Sequence, residues 1–310
     1  MRKNDQRQVI VICGPTGSGK SDLAFELARL IGGEVVSADS MQIYREMDIG
    51  TAKVSQQEQA IVKHHMLDII EPTASYSVAD YSQQASKVLE DICNRGVWPI
   101  VCGGTGQYIN ALLDGLIFFD IEIDPKLRAE ITDLIQPETS HYWHKELAKL
   151  DPQAGHTIKA TDLRRIRRFF EVFRASKMTR TELNEKSRAK GPDFNFIAFY
   201  LKPDRQALYH KINNRVERMF QLGLKEEVAG LICRYPNIEQ CQSFQAIGYK
   251  ESLALVKGEK SQSEVIDTIS RVTRNYAKRQ FTWFNARKDM KHLDNLSRED
   301  SLDLITNYLL

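Results

Sequence analysis

The stretch Gly14-Pro15-Thr16-Gly17-Ser18-Gly19-Lys20-Ser21 decides the fold of this chain. It matches the spacing G-x-x-x-x-G-K-[ST], in which glycines let successive backbone N–H groups turn inward around an anion. A run that reads as a buried strand, Val9 to Cys13, precedes it. A helical pattern, Ser21 to Ile31, follows, with apolar residues at Leu23, Leu27, Leu30 and Ile31 and with Gly32-Gly33 as its stop. Between a strand and a helix such a loop predicts a phosphate cradle. Backbone N–H groups and the positive end of the helix face the anion, Lys20 bridges phosphate oxygens, and Ser21 can ligate Mg²⁺. Gly14, Pro15, Thr16, Gly17, Ser18, Gly19, Lys20 and Ser21 are therefore the candidate phosphate-binding residues, and Mg²⁺ is the expected cofactor.

Outward from the loop, Glu34 to Ala38, Trp98 to Cys102 and Phe194 to Leu201 also read as buried strands, rich in Val, Ile or Phe and bounded by Gly, Pro or Asp. Strand, loop, helix and strand in that order make a βαβ unit. Tyr81 to Asn94 is a second helical candidate. From Ile123 to about Pro192 the pattern is helical with no credible strand: Pro125 to Ile135, Tyr142 to Leu150 and Thr161 to Ser176. After the return strand come amphipathic helices at Arg205 to Cys233 and Ser263 to Asn285, then a tail, Asp289 to Leu310, expected to add one more strand or helix. The expected fold class is α/β: a P-loop NTPase-like parallel sheet flanked by helices, with a helical insertion domain. The core would occupy residues 1–122 and 194–310, and the insertion residues 123–193.

At 310 residues, with 27% charged residues and no repeat or low-complexity tract, the chain falls outside the disordered, collagen and solenoid classes. Met1 to Gln8 is polar without an apolar leader, and no apolar run is long enough to span a membrane, so a cytoplasmic protein with no membrane partner is expected. Cys13, Cys93, Cys102, Cys233 and Cys241 show no Cys-x-x-Cys spacing, which argues against a disulfide framework or structural zinc and for buried thiols. The net charge of +2 does not by itself imply nucleic acid; local clustering must carry any polyanion surface.

That clustering exists. Arg164, Arg165, Arg167 and Arg168 crowd one helical segment, Arg164 and Arg168 on one face and Arg165 with Phe169 on another. Arg271, Arg274 and Lys278 recur at spacings of three and four, with Arg279, Arg287 and Lys288 near them. Each stripe suits a phosphate backbone and equally suits a solvated face of an amphipathic helix. Asp39 closes the second strand at the carboxyl edge of the sheet, where ligands of open α/β folds bind. By spacing alone it is open to three roles: metal-shell ligand, general base, or cap of a following helix. Gly103-Gly104-Thr105-Gly106 after the third strand is either a close approach to a ligand or a plain strand-to-helix turn. His64-His65 point to different sides of a regular element, and His141 and His144 lack partner ligands, so no metal site is expected there.

Taken together these residues resemble the tRNA dimethylallyltransferases, also called tRNA isopentenyltransferases. The likeness spans nearly the whole chain: GPTGSGKSDLA (14–24), SADSMQIYREMDIGTAK (37–53), HHMLDI (64–69), YSVADY (76–81), PIVCGGTGQYINALLDGL (99–116), DLRRIRRFFEV (162–172), RVERMFQLGLKEEV (215–228), AIGYKE (246–251) and TRNYAKRQFTWF (273–284). The resemblance implies transfer of a dimethylallyl group from dimethylallyl diphosphate to the N6 amine of the adenosine at tRNA position 37, beside the anticodon. Asp39 would be the general base, Thr16 and Lys20 would meet the diphosphate, and Arg215 with Thr105 would complete the reacting centre. Asp39, Ser40, Met41, Gln42 and Thr105 would contact the flipped adenine. Arg128, Arg164, Arg165, Ile166, Arg167, Arg168, Arg274, Lys278, Arg279 and Gln280 would hold the anticodon stem-loop. A monomer is expected. Gln107, Arg164 and the pair Phe169-Phe170 depart from the family's usual residues. No Cys/Cys/His/His finger follows Phe284, as in eukaryotic members, which points to the bacterial type.

Three rivals use overlapping parts. A nucleotide or small-molecule kinase would place ATP on the same loop, an adenylate dimethylallyltransferase would prenylate free nucleotide, and a non-catalytic P-loop module would bind RNA without turnover. The arginine run and the segment 273–284 favour tRNA.

Overall fold

The computed structural model describes residues 7–309; residues 1–6, most of the polar start, and Leu310 lie outside the described residues. Six strands, β1 (Gln8–Cys13), β2 (Gly33–Ser37), β3 (His64–His65), β4 (Trp98–Gly103), β5 (Asn195–Lys202) and β6 (Lys291–Asp294), form one sheet in the order β3-β2-β4-β1-β5-β6. Every pairing is parallel. In a sheet buried on both faces each strand is apolar at successive positions. Val9, Val11 and Cys13 of β1 join one core, while Ile10 and Ile12 join the other.

The first core packs the helices Val78–Asn94, Gly106–Leu113, Arg205–Gln221 and Gln262–Asn285 on the sheet. The second packs Lys20–Ile31 and Arg298–Leu309. In Lys20–Ile31 the buried stripe is Leu23, Ala24, Leu27 and Ala28, so two alanines bring the helix close to the strands. Leu30, expected on that face, is 65% exposed. At 100° per residue it falls roughly a quarter turn from the centre of the stripe.

Parallel strands put their carboxyl ends on one edge. Cys13 pairs with Gly103, and Ser37 with Cys102, so the segments after β1, β2 and β4 leave side by side. Pairing continues past the strand ends. Ala38 N–H donates to the Cys102 carbonyl (2.8 Å), and Thr105 N–H to the Ala38 carbonyl (3.2 Å).

Several sequence expectations shift. The helix expected over Arg205 to Cys233 is two helices, Arg205–Gln221 and Leu224–Arg234, because Gly223 sits between them at φ +100°, a conformation that ends a helix and that side chains resist. The tail supplies both a strand and a helix. His64–His65 form a short edge strand. Not all thiols are buried: Cys13 and Cys102 are, Cys233 is exposed, and all five cysteines are free.

A second compact unit spans Asp114–Pro192, whereas the sheet unit takes the chain up to Leu113 and again from Asp193. Its start precedes the expected boundary because the outgoing and returning segments run together. Ile117 N–H donates to the Ser187 carbonyl (2.8 Å), and Arg188 lies 3.7 Å from Asp114. Its own core is Ile131, Ile135, Leu147, Ile158, Ile166, Phe169 and Phe170, with Trp143 edge-on to Phe170. The departures Phe169 and Phe170 are thus packing residues. Buried Asp151 knits the unit, accepting from Ala154 N–H (2.9 Å), Thr181 N–H (2.9 Å) and the Thr181 hydroxyl (2.6 Å).

Candidate active site

The loop after β1 turns as its glycines predict. Gly19 adopts φ +87° and caps the helix Lys20–Ile31, whose first N–H groups point back into the loop. Ser18 N–H donates to the Pro15 carbonyl (3.2 Å), and the Ser18 hydroxyl is buried with no hydrogen-bond partner. Lys20 Nζ donates to the Pro15 carbonyl (3.3 Å), which holds the ammonium over the loop. Burial pushes the Lys20 pKa down, and the nearby Cys102 and Asp39 oppose that shift. A desolvated cation of this kind gains most from an anion placed beside it.

Asp39 is not a helix cap. No helix follows it; Asp39 Oδ1 instead accepts from Met41 N–H (2.9 Å) in an Asx turn, and the carboxylate lines a cavity with Thr16, Lys20 and Arg215. The glycine turn after β4 serves the same edge. Thr105 Oγ1 accepts from Ser40 N–H (3.0 Å), tying the turn to the Asp39 segment. Ser37 Oγ donates to Gln42 Oε1 (3.0 Å), and Gln42 Nε2 donates to the Thr51 carbonyl (3.3 Å).

From the facing helix Arg205–Gln221, Arg215 enters the cavity with a long hydrogen bond to the Thr51 carbonyl (3.5 Å). Burial lowers its pKa while Asp39 and Asp22 raise it. Tyr276 lines the same space, its hydroxyl pushed up to about 12 by burial and by the Asp39 charge. The cavity, about 280 Å³, continues from this charged end onto Ile212, Val216 and Met219, with Ala246, Ile247 and Ile269 opposite. These apolar walls escaped sequence reasoning because they come from separate helices and a turn. Two segments quoted for the resemblance carry part of them: Val216 and Met219 lie in RVERMFQLGLKEEV, and Ala246 and Ile247 in AIGYKE.

Two expectations for RNA contacts are corrected. Ile166 is fully buried in the core of the helical unit and presents nothing to a ligand. Gln280 is also buried, and both ends of its amide are taken. Oε1 accepts from Thr16 N–H (2.8 Å), and Nε2 donates to the Gly104 carbonyl (2.8 Å), so it braces the two glycine loops against each other.

The remaining arginines differ in freedom. In the sheet unit Arg274 Nη1 donates to Asn213 Oδ1 (2.6 Å), while Lys278 and Arg279 are exposed, Arg279 lying over the Tyr276 ring. In the helical unit Arg164, Arg165 and Arg168 are exposed. Arg165 lies 3.4 Å from Asp162, Arg168 3.3 Å from Glu171, and Arg128 3.9 Å from Glu171. Arg167 Nε donates to the Ile135 carbonyl (2.8 Å). The Arg165–Asp162 pair is exposed and therefore weak, whereas Glu171, the partner of Arg128 and Arg168, is buried.

Ser21 is exposed at the mouth of the loop, and among the described residues no group of three or more His, Cys, Asp or Glu is set to hold a metal. That donor set fits Mg²⁺ held by one hydroxyl, water and substrate phosphates, and not a closed protein cage. Also among the described residues, no helix is long and apolar enough to cross a membrane.

A parallel sheet with a glycine-lysine loop at its carboxyl edge, and an acid and apolar residues in one cavity with it, has the make-up of a P-loop enzyme. The chain matches the family model described as IPP transferase over residues 42–288, and that described as isopentenyl transferase over residues 7–75. It belongs to the IPP transferase family, that of the tRNA dimethylallyltransferases. The tRNA dimethylallyltransferase of Halothermothrix orenii is 40% identical over 296 residues, covering 96% of this chain and 90% of the relative. That of Bacillus subtilis is 38% identical, covering 94% and 92%. Among solved structures, the tRNA isopentenylpyrophosphate transferase of Bacillus halodurans superposes with a TM-score of 0.72 at 36% identity, covering 98% and 96% of the two chains. A eukaryotic dimethylallyltransferase acting on tRNA gives 0.81 at 27% identity, covering 97% of this chain and 80% of that one.

Proposed function

We propose that this enzyme transfers a dimethylallyl group from dimethylallyl diphosphate to the N6 amine of the adenosine 3′ of the tRNA anticodon. The observation that carries this reading is the two-ended cavity. Its charged end, Thr16, Lys20 and Arg215, suits a diphosphate, and its apolar end, Ile212, Val216, Met219 and Ile269, suits a branched five-carbon chain.

In the reaction the allylic C1–O bond breaks, and its electron pair leaves with diphosphate. The N6–C1 bond forms, and the N6 proton passes to the Asp39 carboxylate. Negative charge grows on the diphosphate, where loop N–H groups, Lys20 and Arg215 are already oriented. Mg²⁺ on Ser21 would add charge neutralisation for the leaving group. The adenine must leave its stack to reach a walled cavity, and Ser40 and Met41 line it beside Asp39 to receive the base, with Thr105 braced behind Ser40 and Gln42 turned into a neighbouring pocket with Ser21. Lys278, Arg279 and the exposed arginines of the helical unit would grip RNA phosphates. The enzyme would work as a monomer.

A kinase would need the space beyond the loop for a nucleoside and a phosphoryl acceptor, and here Ile212, Val216, Met219 and Ile269 take up part of its lining. Incubation with labelled dimethylallyl diphosphate or ATP, each with tRNA or AMP, separates the readings. Label should pass only from the prenyl donor to tRNA. Phosphoryl transfer without prenylated RNA, or prenylation of AMP in preference to tRNA, defeats the proposal.

A further inference from the structure

Beyond the residues that face the cavity, one carboxylate fixes the wall they lean on. Glu227, in the first turn of Leu224–Arg234, accepts from three consecutive backbone N–H groups of the facing loop. Oε2 takes Asp48 (3.0 Å) and Ile49 (2.8 Å), and Oε1 takes Gly50 (3.2 Å). The Tyr249 hydroxyl donates to Oε1 as well (2.6 Å), and Tyr249 is fully buried. Its ring lies so close to Gly50 that a Cβ there would meet it at 2.4 Å, so the loop rests flat on the ring. The next residue is Thr51. Its hydroxyl donates back to the Met47 carbonyl (2.7 Å), and its own carbonyl accepts from both Gln42 Nε2 (3.3 Å) and Arg215 (3.5 Å).

The Thr51 carbonyl therefore ties the clamped loop to Arg215, which enters the cavity. We infer that Glu227 and Tyr249 are positioning residues, which clamp the 48–51 loop so that the Thr51 carbonyl aims Arg215 into the cavity. Neither touches substrate. This inference rests on the role proposed above for Arg215. A carboxylate suits the clamp because it only accepts, and four donors converge on it. Glu227→Gln turns one acceptor into a donor facing N–H groups, so the loop must move away.

The test is a double-mutant cycle of Glu227→Gln with Arg215→Ala, read as kcat/KM for dimethylallyl diphosphate. Pyrophosphate affinity, tRNA affinity and Tm are measured on the same proteins. Glu227→Gln alone should lower kcat/KM about tenfold and weaken pyrophosphate severalfold, with tRNA affinity kept within about twofold; in the Arg215→Ala background it should cost less than about twofold. Tyr249→Phe, which removes one donor and keeps the carboxylate, should give a smaller loss with the same non-additivity, and it carries the cycle if Glu227→Gln does not fold. Additive costs, unchanged kcat/KM in a folded variant, or a parallel loss of tRNA affinity would overturn the clamp. If the wild-type enzyme prenylates nothing, the proposed function falls, and the clamp is judged by the pyrophosphate measurements alone.

Discussion

One part of the cavity wall, Thr16 and Lys20, comes from a single continuous loop, whereas the apolar part takes Ile212, Val216 and Met219 from one helix, Ile269 from another and Ala246-Ile247 from a turn. The first end is made by local backbone geometry, so its sequence is constrained residue by residue. The second is made by tertiary packing, where apolar residues of similar volume substitute for one another. The difference teaches which half of the function can be read from spacing. A phosphate cradle was legible from spacing, and the apolar wall beside it was not.

Asp39 stands at the charged end, and its loss should have the largest effect. Asp39→Ala should lower kcat on the order of a hundredfold or more while tRNA binding stays within a few-fold, as for loss of a general base. Equal losses of binding and rate would show that Asp39 shapes the site and does not act on the amine. Lys20→Ala and Val216→Phe then set the two ends directly against each other. Lys20→Ala should weaken both dimethylallyl diphosphate and free pyrophosphate, by about tenfold or more. Val216→Phe, which fills the apolar end, should raise KM for the donor about tenfold and leave pyrophosphate inhibition nearly unchanged, in line with the cost of a misfit in an apolar pocket. If Val216→Phe weakens pyrophosphate equally, the cavity does not divide as described.

The same contrast runs through the fold. β1, the loop, β2, β4 and β5 were legible because buried parallel strands are apolar throughout and glycines punctuate them. The break at Gly223 was missed because the apolar period continues across it, and the edge strand His64–His65 because two polar residues carry no strand pattern. Ile166 looked like part of a basic stripe only through its neighbours; its β-branched apolar side chain belongs to the core between Phe169 and Ile131. Gln280 sits among cations on its helix, and only the structure turns its amide onto Thr16 and Gly104.

Smaller effects lie away from the cavity. Arg165→Ala should weaken tRNA binding severalfold and flatten the slope of log affinity against log salt by about one, the signature of one lost phosphate contact. An unchanged slope would leave that helix a solvated face. Acid stability is the weakest lever. Bidentate hydrogen bonds from Arg95 (2.7 and 2.6 Å), together with His65 (2.7 Å), hold the Glu34 carboxyl at about 2 against burial. A depressed acid contributes stability above its ordinary range near 4.5, and that stability is lost as pH falls from there toward about 2. Glu34→Gln should lower Tm at neutral pH by a few degrees and remove part of the Tm decline over that acid window. An unaltered Tm profile would show the pair contributes nothing.

The most direct measurement is mass spectrometry of nucleosides from unmodified tRNA after incubation with purified enzyme, dimethylallyl diphosphate and Mg²⁺. The two-ended cavity predicts one new nucleoside, adenosine carrying a five-carbon allyl group on N6 at the position 3′ of the anticodon, with diphosphate released in equal amount. Unchanged tRNA from active, folded enzyme, or the group on another base, would contradict it.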